Sequence, residues 1–212
     1  TAATTTRPLA SPVDLRAYIP AAADGPFAAL LSLAPWEITS RAKAIVTRAI
    51  SGLTGYEIAD GVAIHRKANV EKGAIVKGPA IIGPECFVAA TAYLRDGVFL
   101  DEGCVVGPSC ELKSVFMLMG SKVAHLTFAG DSIIGAGANI EAGAMIANYR
   151  NERADKRIRI SVADAIIDTG VDKFGALIGD DARIGAGAVI APGALIAKGE
   201  IVARLSLVDQ AP

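Results

Sequence analysis

Aliphatic residues recur at every sixth position through most of the chain. The first run is uninterrupted, and the same period returns after a shift and again after an insertion. A small residue, most often Ala or Cys, stands four positions after most of the aliphatic ones. The aliphatic positions are Ile64, Val70, Val76, Ile82, Val88, Leu94, Leu100, Val106, Leu112, Leu118, Ile134, Ile140, Ile146, Ile178, Ile184, Ile190, Ile196 and Val202.

A fixed period of six is typical of a parallel β-helix, in which each hexapeptide contributes one short strand and one corner. The aliphatic residue points into the interior, and the small residue fits a tight corner without overpacking. Because three hexapeptides form one coil, the pattern predicts about six coils. The predicted fold class is mainly β, with the β-helix over residues 55–208 and an inserted loop at 149–174.

The segment before the repeats has a different pattern. Residues 1–54 are expected to form an irregular arm followed by a short α-helical appendage. Residues 1–23 are rich in Thr, Ala and Pro, whereas residues 26–33 and 35–50 have helical patterning that Gly52 ends. We expect the appendage to cap the first coil, because an exposed coil end offers unpaired backbone groups.

Two places depart from the period of six, and departures from a regular pattern are where function is expected. The spacing from Leu118 to Ile134 is sixteen residues instead of eighteen. The insertion between Ile146 and Ile178 is rich in Arg and Lys, and residues 157–168 alternate in a way that predicts a small hairpin.

Composition narrows the classes of function. A net charge of −1 provides no field that would attract nucleic acid or an anionic membrane. No apolar run approaches the roughly eighteen residues of a membrane span, and a signal-peptide pattern is missing, so we predict a cytoplasmic protein. The chain has two histidines, too few for a γ-class carbonic anhydrase-like site, and its three cysteines occupy small corner positions. The sequence therefore predicts neither a metal site nor a disulfide.

Arg95 and Lys113 are the first candidates for chemistry. Each directly follows an inward aliphatic residue, so both should point outward, and their separation places one a single coil above the other. Stacked cations about 5 Å apart repel each other unless an anion lies between them, and phosphate suits the planar Arg fork. Alternatively, a carboxylate neutralises them within the chain. The candidates for that role are Asp101, Glu102 and Glu111.

His125 is the second candidate, because it lies where the period shifts. A histidine titrates near neutral pH and can accept a proton from an attacking amine. A structural role is the alternative. His65 occupies an ordinary outward position in the first coil and is expected to be structural.

Several blocks within residues 91–149 resemble the acetyltransferase domain of bacterial bifunctional N-acetylglucosamine-1-phosphate uridyltransferases. They are Leu94-Arg95, Lys113, Gly120-Ser121-Lys122, His125-Leu126-Thr127-Phe128-Ala129-Gly130-Asp131, Ala138-Asn139-Ile140-Glu141-Ala142-Gly143 and Ala147-Asn148-Tyr149. Two later blocks are similar to archaeal bifunctional sugar-1-phosphate nucleotidylyltransferase/acetyltransferases. These are Asp168-Thr169-Gly170 and Lys173-Phe174-Gly175-Ala176-Leu177-Ile178-Gly179-Asp180.

The resemblance implies a left-handed β-helix that forms a homotrimer, with active sites between subunits and acetyl-CoA along a groove beside the coils. It also implies an N-acetyltransferase that acts on an amino-sugar phosphate such as glucosamine 1-phosphate, with His125 as general base. Arg95 and Lys113 would hold the sugar phosphate. The remaining implied substrate contacts are Phe128, Asn139, Asn148, Tyr149 and Lys173. The implied acetyl-CoA contacts are Ala176, Ala186 and Arg204.

Two positions depart from the family pattern. Phe128 replaces a tyrosine, and Ala154 stands where a lysine is expected, with Arg153 and Lys156 nearby. The chain shows no counterpart of the nucleotidyltransferase domain, so a separate nucleotidyltransferase chain is a candidate partner. The alternative function is a non-catalytic trimer that binds a sugar phosphate or a nucleotide sugar.

Overall fold

The computed structural model describes residues 11–163 and 165–210 and shows a parallel β-helix with three faces. This architecture confirms the mainly β fold that the period of six predicts. Two faces share one thirteen-stranded sheet, because two strands continue around the corner between them, and the remaining face is a separate seven-stranded sheet. The two continuous strands are Glu111–Met117 and Phe128–Ile134.

We name the faces by what lies over them. The covered face contains the C-terminal halves of the two long strands with Val62–His65, Ala80–Ile82, Val98–Leu100, Ala176–Ile178 and Ala194–Ile196. The cleft face contains their N-terminal halves with Ile75–Val76, Tyr93–Arg95, Met145–Ile146, Val189–Ile190 and Leu207–Val208. The third face contains Asn69–Val70, Phe87–Val88, Val105–Val106, Lys122–Val123, Asn139–Ile140, Arg183–Ile184 and Ile201–Val202.

A column of aliphatic and small side chains fills the interior of the helix. Residues of the repeating positions meet there in parallel register, as Leu94 does with Leu112. Most of them are fully buried, whereas those of the first coil are partly buried. Cys86, Cys104 and Cys110 lie in the same column as free thiols. The small residues at corners and the aliphatic residues at strands therefore form one continuous core.

The shift in the period lies elsewhere than the sequence predicts. Met117, not Leu118, is the inward residue, because it pairs with Leu100 below and Ile134 above. Leu118 packs in the outer hydrophobic cluster instead. Val123 and Ala129 are two inward positions that the hexapeptide count missed.

Two short steps explain the shift. The chain advances five residues from Leu112 to Met117, and again from Ala129 to Ile134. Both steps turn the same corner, between the cleft face and the covered face. Gly97, which belongs to the coil below, has no counterpart in these two coils, so each is one residue shorter. The irregularity is therefore confined to one corner.

The N-terminal segment covers the side of the β-helix and does not cap its end, so the predicted position of the appendage is wrong. The outward residues of the covered face are apolar, and Phe27 and Trp36 pack edge-on against Phe116 and Phe174. Burial of this second apolar layer stabilises the sideways arrangement. The first coil ends instead at strand Tyr56–Ala59, which pairs antiparallel with Val62–His65.

The helices are shorter than the sequence predicts. The α-helices are Leu15–Tyr18, Pro35–Ser40 and Ala42–Ile50, and the 3₁₀ helices are Pro20–Asp24 and Ala28–Leu30. Residues 26–33 therefore contain one short 3₁₀ turn, and Arg41 interrupts the predicted helix over residues 35–50. The predicted irregular arm falls partly on residues 1–10, which lie outside the described residues.

The insertion contains the predicted hairpin, formed by antiparallel strands Arg159–Val162 and Ala165–Asp168. Ile158 and Ile160 bury their side chains in the same outer cluster as the helices. Arg150 fixes the start of the insertion, because its buried guanidinium donates to the Asp209 carboxylate and to a backbone carbonyl. Across the described residues, none of the helices has the length and apolar character needed to cross a membrane.

Candidate functional site

The corner between the cleft face and the covered face carries a column of polar residues. Asp96, Ser114 and Asp131 follow each other along the coils, and all three adopt left-handed backbone conformations, with φ of 65°, 55° and 44°. Aspartate is among the few residues that tolerate this conformation. The Ser114 hydroxyl donates to the Asp96 carbonyl oxygen at 3.0 Å. The corner therefore stacks polar side chains from three successive coils, of which the upper two have the shortened step.

Asp131 is the most buried carboxylate of this column. Its side chain keeps 5% of its exposure, and the Lys113 ammonium donates to both carboxylate oxygens, at 2.8 and 2.9 Å. The Asn148 amide donates to the same carboxylate. A buried charge needs such partners, since an unpaired one is costly. Lys113 is thereby held in place and neutralised by Asp131, which was not among the predicted neutralising residues.

Arg95 is held by two carboxylates. Its Nε donates to Glu111 and its Nη1 to Asp96, both at 2.8 Å. Of the predicted neutralising residues, only Glu111 takes this role. Lys43 of the N-terminal segment approaches Asp96 at 2.7 Å. The Lys43 hydrogen bond, opposed in part by burial, lowers the pKa of the Asp96 carboxyl, so this carboxyl is charged at neutral pH.

A basic cleft of about 390 Å³ opens beside this column. Its lining consists of six residues, each of which the resemblance assigns to the substrate. They are Arg95, Lys113, Phe128, Asn148, Tyr149 and Lys173. They come from the cleft face and from the two ends of the insertion. The volume falls within the roughly 300–1,000 Å³ typical of small-ligand sites.

Gly130 keeps the floor of the basic cleft open. A Cβ at this position would lie 2.5 Å from the Asn148 amide nitrogen and 2.8 Å from the Phe128 ring. A side chain at this position would displace both residues, so glycine allows them to approach the floor. The displaced lysine of the family pattern has a partial counterpart nearby, because the Lys156 ammonium lies 5.3 Å from the Tyr149 ring centre.

Neither His125 nor Asn139 lines the basic cleft. His125 lies at the corner between the third face and the cleft face, where its side chain is exposed and its carbonyl accepts from Gly143. Asn139 lies on the third face. His65, by contrast, packs edge-on against Tyr56 and accepts a backbone hydrogen bond, which fits a structural role.

The predicted acetyl-CoA residues occupy two environments. Ala176 is fully buried in the core. Ala186 and Arg204 both donate to Glu141, and the two Arg204 hydrogen bonds are the main reason that the pKa of Glu141 is lowered. Arg204, Glu141 and Asn139 line a shallow pocket of about 260 Å³ on the third face. Asn139 therefore lies with Arg204, a predicted cofactor residue, and not with the other substrate residues.

Sequence reasoning missed Asp131, Asp96 and Lys43. Asp131 was hidden because the first short step lies before Leu118 and not after it, which concealed that Asp131 lies one coil above Ser114 and beside Lys113. Asp96 is adjacent to the predicted residue Arg95, but the hexapeptide pattern does not indicate that the backbone of Asp96 adopts a left-handed conformation. Lys43 had no signal at all, because its position depends on how the appendage packs.

Comparison with known proteins adds evidence from whole sequences. No family model matches the chain. The bifunctional protein GlmU of Nitratidesulfovibrio vulgaris (strain DSM 19637 / Miyazaki F) is 37% identical over 117 residues, which cover 55% of this chain and 24% of that protein. The bifunctional sugar-1-phosphate nucleotidylyltransferase/acetyltransferase of Sulfurisphaera tokodaii is 32% identical over 155 residues, covering 70% of this chain and 38% of that protein.

This chain resembles part of GlmU. It spans between about a quarter and two fifths of the length of these curated relatives. Among solved structures, the acetyltransferase domain of PglB from Neisseria gonorrhoeae is 22% identical, with a TM-score of 0.43 and coverage of 81% of this chain and 70% of that one. The likeness to GlmU-type proteins therefore agrees with the resemblance that the sequence blocks indicate.

Proposed function

We propose that the chain is an acetyl-CoA-dependent N-acetyltransferase that acts on an amino-sugar phosphate such as glucosamine 1-phosphate. The observation that supports this proposal is the basic cleft, where six residues assigned to the substrate by resemblance lie together. Lys173 is exposed, and no hydrogen bond or ion pair of its side chain is found within residues 11–163 and 165–210, so it is free to meet a phosphate. Tyr149 and Phe128 offer apolar surfaces to a sugar ring.

The chemistry is direct acyl transfer. The sugar amine attacks the thioester carbonyl of acetyl-CoA and forms the new C–N bond, while His125 accepts the proton that the nitrogen loses. The C–S bond then breaks and CoA leaves as the thiol, protonated by the histidine. A backbone N–H would stabilise the oxyanion between these steps. None of the buried cysteines takes part.

His125 is not among the residues that line the basic cleft, and this supports a site shared between copies of the chain. The resemblance implies a homotrimer with active sites between subunits. In this proposal, one chain supplies the phosphate-binding side chains, and a neighbouring copy brings the base and the acetyl-CoA groove. The cleft face favours such association, because it exposes a row of apolar side chains that water disfavours. These are Ile75, Met145, Val189 and Leu207.

The test is release of the CoA thiol from acetyl-CoA across a panel of amino-sugar 1-phosphates. Wild type is expected to turn over at least one of them, and His125→Ala to lose about 10²-fold or more of kcat. The matched control is His65→Ala, which removes the other histidine and should keep its activity. Equal activity in His125→Ala and wild type would exclude His125 as the base. Sedimentation analysis of the same samples tests the trimer.

A non-catalytic sugar-phosphate or nucleotide-sugar binder is the second candidate. It is favoured by the carboxylates that neutralise Arg95 and Lys113 within the chain, and by Phe128 in place of a tyrosine. Binding of glucosamine 1-phosphate without thiol release from any amine would support it. A separate nucleotidyltransferase partner and a cytoplasmic location stay predictions.

A further inference from the structure

A second cleft, of about 760 Å³, lies between the N-terminal segment and the polar corner column. We call it the helix-side cleft. One wall is the junction of helices Pro35–Ser40 and Ala42–Ile50, and the other contains Asp96, Ser114 and Asp131. Lys113 and Lys173 line both clefts, so the basic cleft and the helix-side cleft meet at these side chains.

The N-terminal segment is fitted closely to this corner. A Cβ at Gly97, whose φ is 98°, would lie 2.6 Å from the backbone of Ala42 and Lys43, so only glycine allows the helix to approach. The Lys43–Asp96 ion pair joins the same two elements. The start of helix Ala42–Ile50 is therefore a fixed wall of the helix-side cleft.

Charge within the helix-side cleft favours an anion. The two carboxylates Asp96 and Asp131 are each engaged by a lysine. Within residues 11–163 and 165–210, Glu37 is the single ion-pair partner of Arg41, at 3.6 Å with both side chains exposed, and such pairs are weak. Together with Lys173, Arg41 therefore offers positive charge to a ligand. Asp172 is the remaining carboxylate of the lining.

We infer that the helix-side cleft binds the distal phosphoryl group of a diphosphate-linked amino sugar, that is, of a sugar nucleoside diphosphate. The inference rests on the proposed sugar-phosphate site, because the first phosphate would lie at Lys113 and Lys173, where the clefts meet. A sugar monophosphate there leaves the helix-side cleft empty, whereas a diphosphate continues into it and meets the Arg41 guanidinium. Arg forms bidentate hydrogen bonds with phosphate oxygens.

The test is calorimetric titration of the full chain, without acetyl-CoA, with glucosamine 1-phosphate and with UDP-glucosamine. Wild type should bind UDP-glucosamine about tenfold more tightly than the monophosphate, the gain expected from one charge-assisted contact. Arg41→Ala should remove this advantage and leave monophosphate binding unchanged. The matched control is Arg48→Ala, which removes an exposed arginine of the adjoining helix Ala42–Ile50 outside the cleft. Lys173→Ala should weaken binding of both ligands.

Equal affinity of wild type for the two ligands would overturn the inference, as would an Arg41→Ala variant that binds UDP-glucosamine like wild type. Binding of neither ligand also counts against it. Thiol release from acetyl-CoA, measured separately, distinguishes failure of this inference from failure of the proposed acetyltransferase function. The expected binding pattern without any acetyl transfer would refute the transferase and keep the diphosphate site. Acetyl transfer together with equal affinities for the two ligands would refute the diphosphate site and keep the transferase.

Discussion

Two ion pairs with the same short distance lie in very different surroundings. Lys113 and Asp131 meet at 2.8 Å at the shortened corner, where their side chains keep 16% and 5% of their exposure. Arg204 and Glu141 also meet at 2.8 Å, on the regular third face, but keep 72% and 36%. Because water screens the exposed pair, equal geometry does not mean equal free energy. The buried pair is costly to break, and its lysine lines the basic cleft. The stability of the shortened corner and the chemistry of the cleft therefore depend on the same residues.

The largest effect is expected from Asp131→Ala. This change leaves the Lys113 ammonium buried without its carboxylate, and we expect a loss of about 3 kcal/mol in the free energy of unfolding. Urea denaturation measures it. Adding Lys113→Met to the variant should restore a large part of the loss, because no unpaired charge is then left in the corner. A single variant as stable as wild type would show that the corner pair contributes nothing.

The next effect is expected from Gly130→Ala, which forces Asn148 and Phe128 apart at the floor of the basic cleft. We expect a loss of about 1–3 kcal/mol in stability from overpacking. Affinity for glucosamine 1-phosphate should also fall, as titration calorimetry can measure.

The control for this variant is Gly143→Ala. Gly143 has a φ of 70° but no atom within 4 Å of the added Cβ, so alanine there adds backbone strain without a steric clash. It should lose about 1–2 kcal/mol in stability and keep its affinity. Parallel loss of affinity in both variants would mean that the floor of the cleft plays no specific part.

A smaller effect is expected from Lys43→Ala, which leaves Asp96 free to draw the Arg95 side chain away from the ligand. The KM for the sugar phosphate should rise about fivefold with kcat unchanged, the effect of roughly 1 kcal/mol. Lys43→Arg should rescue the KM. A fall in kcat without a change in KM would contradict a positioning role.

The same variant gives a pH test. The folded pKa of Asp96 lies below its ordinary value of 3.8, so the Lys43 pair stabilises the fold fully above that pH. Its contribution is lost as the pH falls through the lowered pKa. The stability difference between wild type and Lys43→Ala, measured by denaturation between pH 7 and pH 2, should therefore shrink towards zero in acid. A constant difference would mean that the pair is not its source.

The smallest effect on stability is expected from Arg204→Ala. Because this pair is exposed, the thermal midpoint should stay unchanged. If Arg204 contacts acetyl-CoA as the resemblance implies, the KM for acetyl-CoA should rise severalfold while the KM for the sugar does not. A clear fall in the thermal midpoint would show that the exposed Arg204–Glu141 pair stabilises the fold as the buried Lys113–Asp131 pair does.

The sequence determined the architecture of the β-helix because the repeat is local. An inward aliphatic residue such as Leu94 and a small corner residue such as Cys86 are read directly from the period, since each coil repeats the same packing problem. The outward positions of Arg95 and Lys113 follow from the same rule. Resemblance added Phe128, Asn148 and Tyr149, which the fold brings to one cleft.

Only the tertiary structure decided how that cleft is completed. One residue is missing from the same corner in each of two successive coils. The period of six along the sequence does not show at which corner that residue is missing. The pairing of Asp131 with Lys113 depends on that choice. The approach of Lys43 to Asp96 depends on which outer face the N-terminal segment covers. An apolar outer face predicts that something will bury it, but the sequence pattern does not identify the segment that does so.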